Sequence, residues 1–201
     1  MHAHDSNTAG APIRPTGTGV KDVSAAEFIA EYAAHLKDTG AVDPPKYVEY
    51  AKTGHHKELS PIENDWFYTR VAAVARQMYI NPGSGVGALA RKFGGQKHGD
   101  VCRPRTVRAS RKVIRDALHA LEKAGVLGMK EEAREDEEDQ EDLGSIRLGR
   151  YVTDSGKRDL DRIARAAAAK ALANIAEIRG ASAAAAEEEE EEGDEEDEEG
   201  A

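Results

Sequence analysis

Positively charged side chains are concentrated in one short part of this 201-residue chain. Between Arg91 and Arg115 there are nine Lys and Arg residues, and Asp100 is the only acidic residue among them. The glycine-rich segment from Gly83 to Gly87 comes just before them. Glycines let a backbone approach phosphate oxygens closely, and Arg and Lys neutralise phosphate charge. A solvated charged face is the alternative, but this combination favours a polyanion partner.

The net charge of −10 hides this basic character. Residues 131–142 hold nine acidic residues and one Arg, and residues 187–199 hold twelve acidic residues and no base. The rest of the chain has 27 Lys and Arg against 17 Asp and Glu. A basic surface of this kind is the electrostatic footprint of a nucleic-acid partner.

Other site chemistry is not favoured by the residues present. The single cysteine, Cys102, cannot form an internal disulfide, which indicates a reducing compartment, and nothing marks it as a nucleophile. The close histidine pairs, His2 with His4 and His55 with His56, lack Cys or carboxylates at zinc-ligand spacing. We therefore expect no metal, no cofactor and no small-molecule substrate.

Composition places one domain in the middle of the chain. Residues 1–19 and 179–201 lack the apolar side chains that offset the entropy of ordering a chain, so we expect both to be disordered, unless the first segment associates with the polyanion partner. No apolar run is long enough for a membrane span, and no secretory signal is recognisable. The folded domain is predicted to span residues 20–178.

Capping signals and apolar periodicity predict the helices that position the basic residues. Ser24 and Glu27 form a capping-box pattern, so a first helix is expected at 25–38, with Gly40 as its stop. A short second helix is expected near 47–53. A central helix is expected at 66–80, because two adjacent stripes along it are apolar: Phe67, Val71, Val74 and Met78, and Tyr68, Ala72, Ala75 and Tyr79.

Two arginines on this central helix need a partner or a surface. Arg70 and Arg76 either form an internal salt bridge, for which Glu63 and Asp116 are candidates, or reach phosphates of a ligand. The sequence leaves both interpretations open.

The second half of the domain is predicted to end in a β-hairpin and a helix. A short helix at 87–93 and a long basic loop at 94–109 lead to a helix capped by Ser110, whose first turns carry positive charge that opposes the helix dipole. Strands at 126–130 and 146–152 would form the hairpin, with the acidic residues 131–142 at its tip. Thr153 caps a last helix to about 178. We therefore predict a mainly α, winged-helix-like domain around a central helix with a small β-hairpin.

Several blocks of residues form a recognisable series along the chain: Val20 to Val23, His56 to Pro61, Asn64 to Arg70, Gly83 to Gly87, and Lys157 to Ala164. In this order they resemble the eukaryotic and archaeal ribosomal protein nineteen family of the small subunit. The resemblance extends from Val20 to Ala169. It implies a structural protein that binds small-subunit ribosomal RNA in the subunit head, contacts neighbouring ribosomal proteins and is needed for pre-rRNA maturation. It also implies a cytosolic ribosome, with nucleolar passage during assembly.

The resemblance and the charge pattern together give one set of expected RNA-binding residues. The family's central helix implies RNA contact for Arg70 and Arg76, and its basic side implies contact for several of the others. The full set is Lys21, Arg70, Arg76, Gly83, Gly85, Gly87, Arg91, Lys92, Lys97, Arg103, Arg105, Arg108, Arg111, Lys112 and Arg115. The acidic residues 131–142 and the two ends depart from the family pattern, so no RNA role is expected for them.

Two other classes of function fit the sequence less well. A winged-helix DNA-binding regulator would use Ser110 to Ala124 as its recognition helix, but the preceding loop is far longer than the usual turn. A nucleotide-hydrolysing enzyme is disfavoured because Gly83 to Gly87 follows a helix and lacks the Gly-Lys-Ser/Thr ending of a phosphate-binding loop. No pattern of catalytic residues stands out, so we expect no enzymatic activity.

Overall fold

A computed structural model describes residues 18–99, 103–132 and 146–199 of the chain. The elements, in chain order, are α1 (Ala25–Asp38), a 3-10 helix (Lys46–Glu49), α2 (Trp66–Ile80), α3 (Val86–Lys92), β1 (Gly95–Lys97), β2 (Arg105–Val107), α4 (Arg111–Lys123), β3 (Leu127–Glu132), β4 (Ile146–Val152) and α5 (Asp154–Glu199). The fold is mainly helical and winged-helix-like, as the sequence predicts.

The first helix has the predicted bounds. It buries Phe28, Tyr32 and Leu36, and Gly40 ends it with a φ of +60°, a conformation that glycine adopts without strain. Ser24 occupies the N-cap position, but its side chain makes no capping hydrogen bond. The helix is therefore held by its apolar face and not by the predicted capping box.

Helix α2 is the centre of the domain, with the predicted bounds. All four residues of the stripe that begins with Phe67 are buried, and the ends of the second stripe, Tyr68 and Tyr79, are half-buried. Helices α1 and α4 and strand β4 pack against α2. This packing brings side chains from several parts of the chain to the ends and flanks of one rigid helix.

Strands β3 and β4 form the predicted antiparallel hairpin. Leu127 pairs with Val152 at its base, and the ladder continues to Glu132 and Ile146, two residues into the acidic tract. The rest of the predicted tip lies outside the described residues. Thr153 caps α5 as predicted, because its Oγ1 accepts a hydrogen bond from the Gly156 N–H at 3.0 Å.

The predicted basic loop at 94–109 is wrong near both of its ends. Strands β1 and β2 pair there as an antiparallel hairpin, with Gly95 opposite Val107 and Lys97 opposite Arg105. Strands of three residues are too short to show the alternation of apolar and polar residues by which a strand is predicted from sequence. The predicted short helix at 47–53 is also displaced, because the structure forms a single 3-10 turn at Lys46–Glu49.

The last helix is longer than predicted. The predicted end is near Ile178, whereas α5 continues to Glu199. Ala and Glu are strong helix formers, so the Ala- and Glu-rich sequence continues the helix despite Gly180 and Gly193. None of the helices in the described ranges is long and apolar enough to cross a membrane.

Candidate nucleic-acid interface

The glycine-rich segment forms an open turn between α2 and α3. Gly83 has a φ of +76°, and the Ser84 hydroxyl donates a hydrogen bond to the Asn81 carbonyl oxygen at 2.9 Å. A Cβ atom built on Gly85 or Gly87 would have no atom within 4 Å. Internal packing therefore does not require glycine at these two positions. Their bare backbone leaves room for a close ligand approach, as expected from the sequence.

The β3–β4 hairpin, which we call the wing, holds this turn in place. The Gly83 N–H donates a hydrogen bond to the Arg150 carbonyl oxygen at 2.9 Å. Gly149, with a φ of +110°, passes so close that a Cβ on it would lie 3.0 Å from the Gly83 oxygen. The glycine turn is thus positioned by β4, a role for Gly149 that the sequence did not indicate.

The side chain of Arg150 anchors the same strand to α4. Its Nε donates a hydrogen bond to Glu122 Oε1, and His119 Nδ1 lies 2.9 Å from the other carboxylate oxygen. Burial by itself would raise the pKa of Glu122, but the contacts with Arg150 and His119 outweigh it and hold this pKa below its ordinary value. The wing is therefore fastened to the domain by a charged Glu122.

The β1–β2 hairpin places two like charges side by side. Lys97 lies directly opposite Arg105, and both side chains are exposed. Like charges at opposed positions destabilise a strand pair in the free protein. The hairpin is held nevertheless by the Gly54–Ala109 bridge and by a hydrogen bond from the Ala109 N–H to the Ala90 oxygen at 2.9 Å. An anion bound between the two side chains would relieve the repulsion.

A basic groove follows the second of these strands. Its volume is about 580 Å³, and its lining includes His55, Arg105, Arg108 and Arg111. Arg115 lies one helical turn after Arg111, and both are exposed, so a second pair of like charges adjoins the groove. These residues come from a loop, a strand and a helix, and the fold brings them to one surface that we call the basic groove.

In the described ranges, neither arginine of the central helix has a carboxylate partner. The Arg70 guanidinium carbon lies 4.7 Å from the centre of the Phe93 ring, and burial lowers the pKa of Arg70. The Nε atom of Arg76 is buried and makes no hydrogen bond. In the described part of the chain neither forms a salt bridge to Glu63 or Asp116. The predicted salt bridges of Arg70 and Arg76 to Glu63 or Asp116 are therefore wrong.

Lys112 differs from the rest of the predicted set. It pairs with Asp116 at 3.2 Å and lies over the Tyr47 ring, whose hydroxyl also donates a hydrogen bond to Asp116. Its contacts therefore lie on the Tyr47 side of α4, where they are satisfied within the protein. Of the cations in the predicted set, Lys112 is the only one with an ion pair inside the described ranges.

The remaining predicted cations are exposed and dispersed. They are Lys21 in the turn before α1, Arg91 and Lys92 in the last turn of α3, and Arg103 just before β2. Among residues 18–99, 103–132 and 146–199, no cluster of three His, Cys, Asp or Glu side chains could hold a metal ion. Cys102, His2 and His4 lie outside the described residues.

Comparison with known proteins identifies the family. The model of the ribosomal protein S19e family matches residues 19–170, more than half of the chain. The chain belongs to the ribosomal protein S19e family. The protein named small ribosomal subunit protein eS19A from Schizosaccharomyces pombe is 42% identical over 149 residues, covering 74% of this chain and 92% of the relative.

Two further relatives extend this S19e comparison across eukaryotes. Small ribosomal subunit protein eS19 from Oryza sativa subsp. japonica is 36% identical over 149 residues, covering 74% of this chain and 92% of the relative. The protein of the same name from Entamoeba histolytica is 39% identical over 147 residues, covering 73% and 84%. The S19e match ends within α5, before the acidic residues 187–199.

Three residues of this S19e domain were missed by sequence reasoning. His55 lines the basic groove, Phe93 supports Arg70, and Gly149 positions the glycine turn. Each acts through a contact with a residue distant in the sequence. A Gly in a short strand is the one sequence signal that could have marked Gly149, because such glycines indicate a close backbone approach.

Proposed function

We propose that this protein is a structural, non-catalytic constituent of the small ribosomal subunit that binds small-subunit rRNA. Its S19e membership and its relatives' names support the ribosomal role. The basic groove, the glycine turn and the two α2 arginines form the proposed RNA surface. Binding works by phosphate neutralisation and by docking to the shape of the RNA, without base-specific reading of a duplex.

One observation carries the RNA-binding part of the proposal. The β1–β2 hairpin places Lys97 opposite Arg105, and helix α4 places Arg115 one turn after Arg111. No carboxylate in the described ranges forms an ion pair with any of these four residues. Such an arrangement costs stability in the free protein and is compensated when an RNA backbone supplies the missing negative charge. A surface selected only for solubility would intersperse both signs of charge.

The proposed setting follows from the family. The protein sits in the head of the subunit beside neighbouring ribosomal proteins, is needed for subunit assembly and pre-rRNA maturation, and belongs to cytosolic ribosomes after nucleolar passage. No RNA contact is proposed for the acidic residues 131–142 and 187–199, because like charge repels phosphate.

Sedimentation of tagged protein on sucrose gradients tests the proposal. The wild type is expected to migrate with small subunits. Arg76→Glu is expected to abolish incorporation, because it replaces a cation that has no carboxylate partner in the described ranges by a carboxylate that repels RNA phosphate. Lys123→Glu, the same charge change at an exposed position outside the predicted set, is expected to incorporate normally. Circular dichroism of each purified variant checks that the domain remains helical.

Two results would contradict the proposal. Normal incorporation of a folded Arg76→Glu protein would exclude a phosphate-facing role for this residue. In gel shifts at matched salt, sequence-selective binding to duplex DNA tighter than binding to ribosomal RNA would favour the DNA-regulator alternative.

A further inference from the structure

A pocket of about 360 Å³ opens beside the basic groove. Its lining includes Thr53, Pro61, Glu63, Trp66, Arg70 and Phe93. This volume falls at the lower end of the range of roughly 300–1,000 Å³ for small-ligand sites. Two large apolar side chains just outside it, Leu59 and Ile62, are 82% and 98% exposed. The pocket therefore has an apolar rim and a wall that contains a cation.

The side chain of Arg70 is held in this pocket by the Phe93 ring. Phe93 lies under its guanidinium, at 4.7 Å from the ring centre, and Arg70 forms no ion pair in the described ranges. A guanidinium that rests on one ring can stack a second ring on its other side, which is how arginine contacts unpaired RNA bases. The Phe93 support also removes much of the entropy cost of ordering Arg70.

Glu63 decides between a phosphate and a base as the ligand. Glu63 lines the same pocket, and a carboxylate repels phosphate but accepts hydrogen bonds from amino groups. The exposed Leu59 and Ile62 likewise favour an apolar ring over a hydrated phosphate. A base that carries an exocyclic amino group, such as adenine, satisfies the apolar rim, the cation and the carboxylate together.

The pocket adjoins the proposed RNA surface. Thr53 lines the pocket, and its carbonyl oxygen accepts a hydrogen bond from the Ser110 N–H at 2.9 Å. His55, two residues later, lines the basic groove together with Ser110. The segment 53–55 thus separates the pocket from the groove. An RNA strand whose phosphates lie in the groove has an unpaired base within reach of the pocket.

We propose that this pocket binds a single unpaired base with an exocyclic amino group, stacked on Arg70 and hydrogen-bonded to Glu63. The proposal rests on the proposed function and adds base recognition to a surface otherwise explained by phosphate contacts. It assigns roles to Glu63 and Phe93, neither of which belongs to the predicted set of RNA-binding residues.

The only tryptophan of the chain reports on the pocket directly. Trp66 lines it, and its indole N–H donates a hydrogen bond to the Val48 oxygen at 3.1 Å. Full-length protein is titrated with single-stranded A6 RNA, with U6 RNA and with linear hexaphosphate, and Trp66 fluorescence is followed. A6 is expected to change the fluorescence and to bind on the order of tenfold more tightly than U6, the size of one hydrogen bond between the amino group and the charged Glu63.

Three variants distinguish base recognition from binding through positive charge alone. Arg70→Lys keeps the charge but loses the planar group, and Glu63→Gln loses the carboxylate, so both are expected to reduce the preference of A6 over U6. Arg115→Ala, which lies beside the basic groove and outside the pocket, is expected to weaken the binding of A6 and of U6 equally. The preference for A6 over U6 is therefore expected to remain. Circular dichroism confirms that each variant is folded.

Two outcomes would overturn the base pocket, and they differ in what else they affect. Equal affinity for A6, U6 and hexaphosphate would refute base binding while leaving phosphate binding, and so the proposed function, intact. No binding of A6 or U6 at low salt, together with no binding of small-subunit rRNA, would refute the proposed function as well.

Discussion

The contact between Gly149 and Gly83 makes a sharp test of how the glycine turn is positioned. Gly149→Ala adds one methyl group to β4. That methyl would lie 3.0 Å from the Gly83 oxygen and 3.4 Å from the Gly83 carbonyl carbon and Cα. The backbone at Gly149 also has a φ of +110°, which an alanine rarely adopts. The variant therefore strains its own backbone and pushes on the glycine turn.

The expected loss of stability has two parts. A residue with a Cβ in a sparsely populated backbone region costs about 1–3 kcal/mol. The matched control Gly40→Ala has a φ of +60° but no atom within 4 Å of the added methyl, so it bears the backbone cost alone, about 1–2 kcal/mol. Replacing Gly by Ala changes the entropy of the unfolded chain equally in both variants. We expect Gly149→Ala to be the less stable by about 1 kcal/mol.

Urea unfolding and rRNA binding measure the two consequences. With a denaturant slope of about 2 kcal/mol per molar, a difference of about 1 kcal/mol moves the unfolding midpoint by about 0.5 M. Binding to small-subunit rRNA, measured in buffer where both variants are folded, is expected to weaken several-fold for Gly149→Ala. Gly40→Ala is expected to bind like the wild type.

Two results would refute this reasoning. Equal midpoints for the two variants would show that the Gly83 contact relaxes at no cost. A larger destabilisation of Gly149→Ala with unchanged rRNA binding would show that the position of the glycine turn does not matter for RNA.

Three further perturbations test other parts of the structure. Lys97→Glu, opposite Arg105, is expected to stabilise the free protein by about 0.2–1 kcal/mol in urea unfolding and to weaken rRNA binding. A variant that is less stable and also binds rRNA more weakly would contradict the like-charge argument. Deleting residues 133–142 and closing the wing with a short turn is expected to leave far-UV circular dichroism and sedimentation with small subunits unchanged, and loss of helicity would show that the insert packs on the domain. Glu122→Gln is expected to lower the free energy of unfolding at neutral pH. Because the pKa of Glu122 is lowered by folding, its charged form stabilises the wild type above the unfolded pKa. This advantage is lost as the pH falls through the lowered pKa, so an unchanged difference between the two proteins in acid would contradict the assignment.

The helices were predictable because their signals are local. The bounds of α1 and α2 follow from apolar residues at helical spacing, and Gly40 marks an end because of its own backbone freedom. The β1–β2 hairpin was not predictable, because pairs of three-residue strands are held by contacts such as the Gly54–Ala109 bridge. Helix α5 is longer than predicted because Ala and Glu continue a helix through their own propensity, without the apolar side chains that a packed core needs.

The candidate site divides in the same way. Charge concentration and the glycines of 83–87 identified the region, since both are properties of a short segment. The sequence of this segment does not reveal which cations already have a partner within the protein. Lys112 pairs with Asp116, whereas Arg70 packs on Phe93 and has no carboxylate partner in the described ranges. A residue four positions away or on another element decides whether a cation is available to a ligand.

By itself, the sequence determined that a basic, mainly helical domain carries acidic additions, because charge, composition and periodicity are properties of the chain. Only the tertiary structure decided that Lys97 faces Arg105, that Gly149 holds Gly83, and that a pocket with Arg70 and Glu63 adjoins the basic groove. The physical reason is that electrostatic repulsion, steric contact and ligand-sized cavities depend on distances of a few ångströms between residues far apart in the chain.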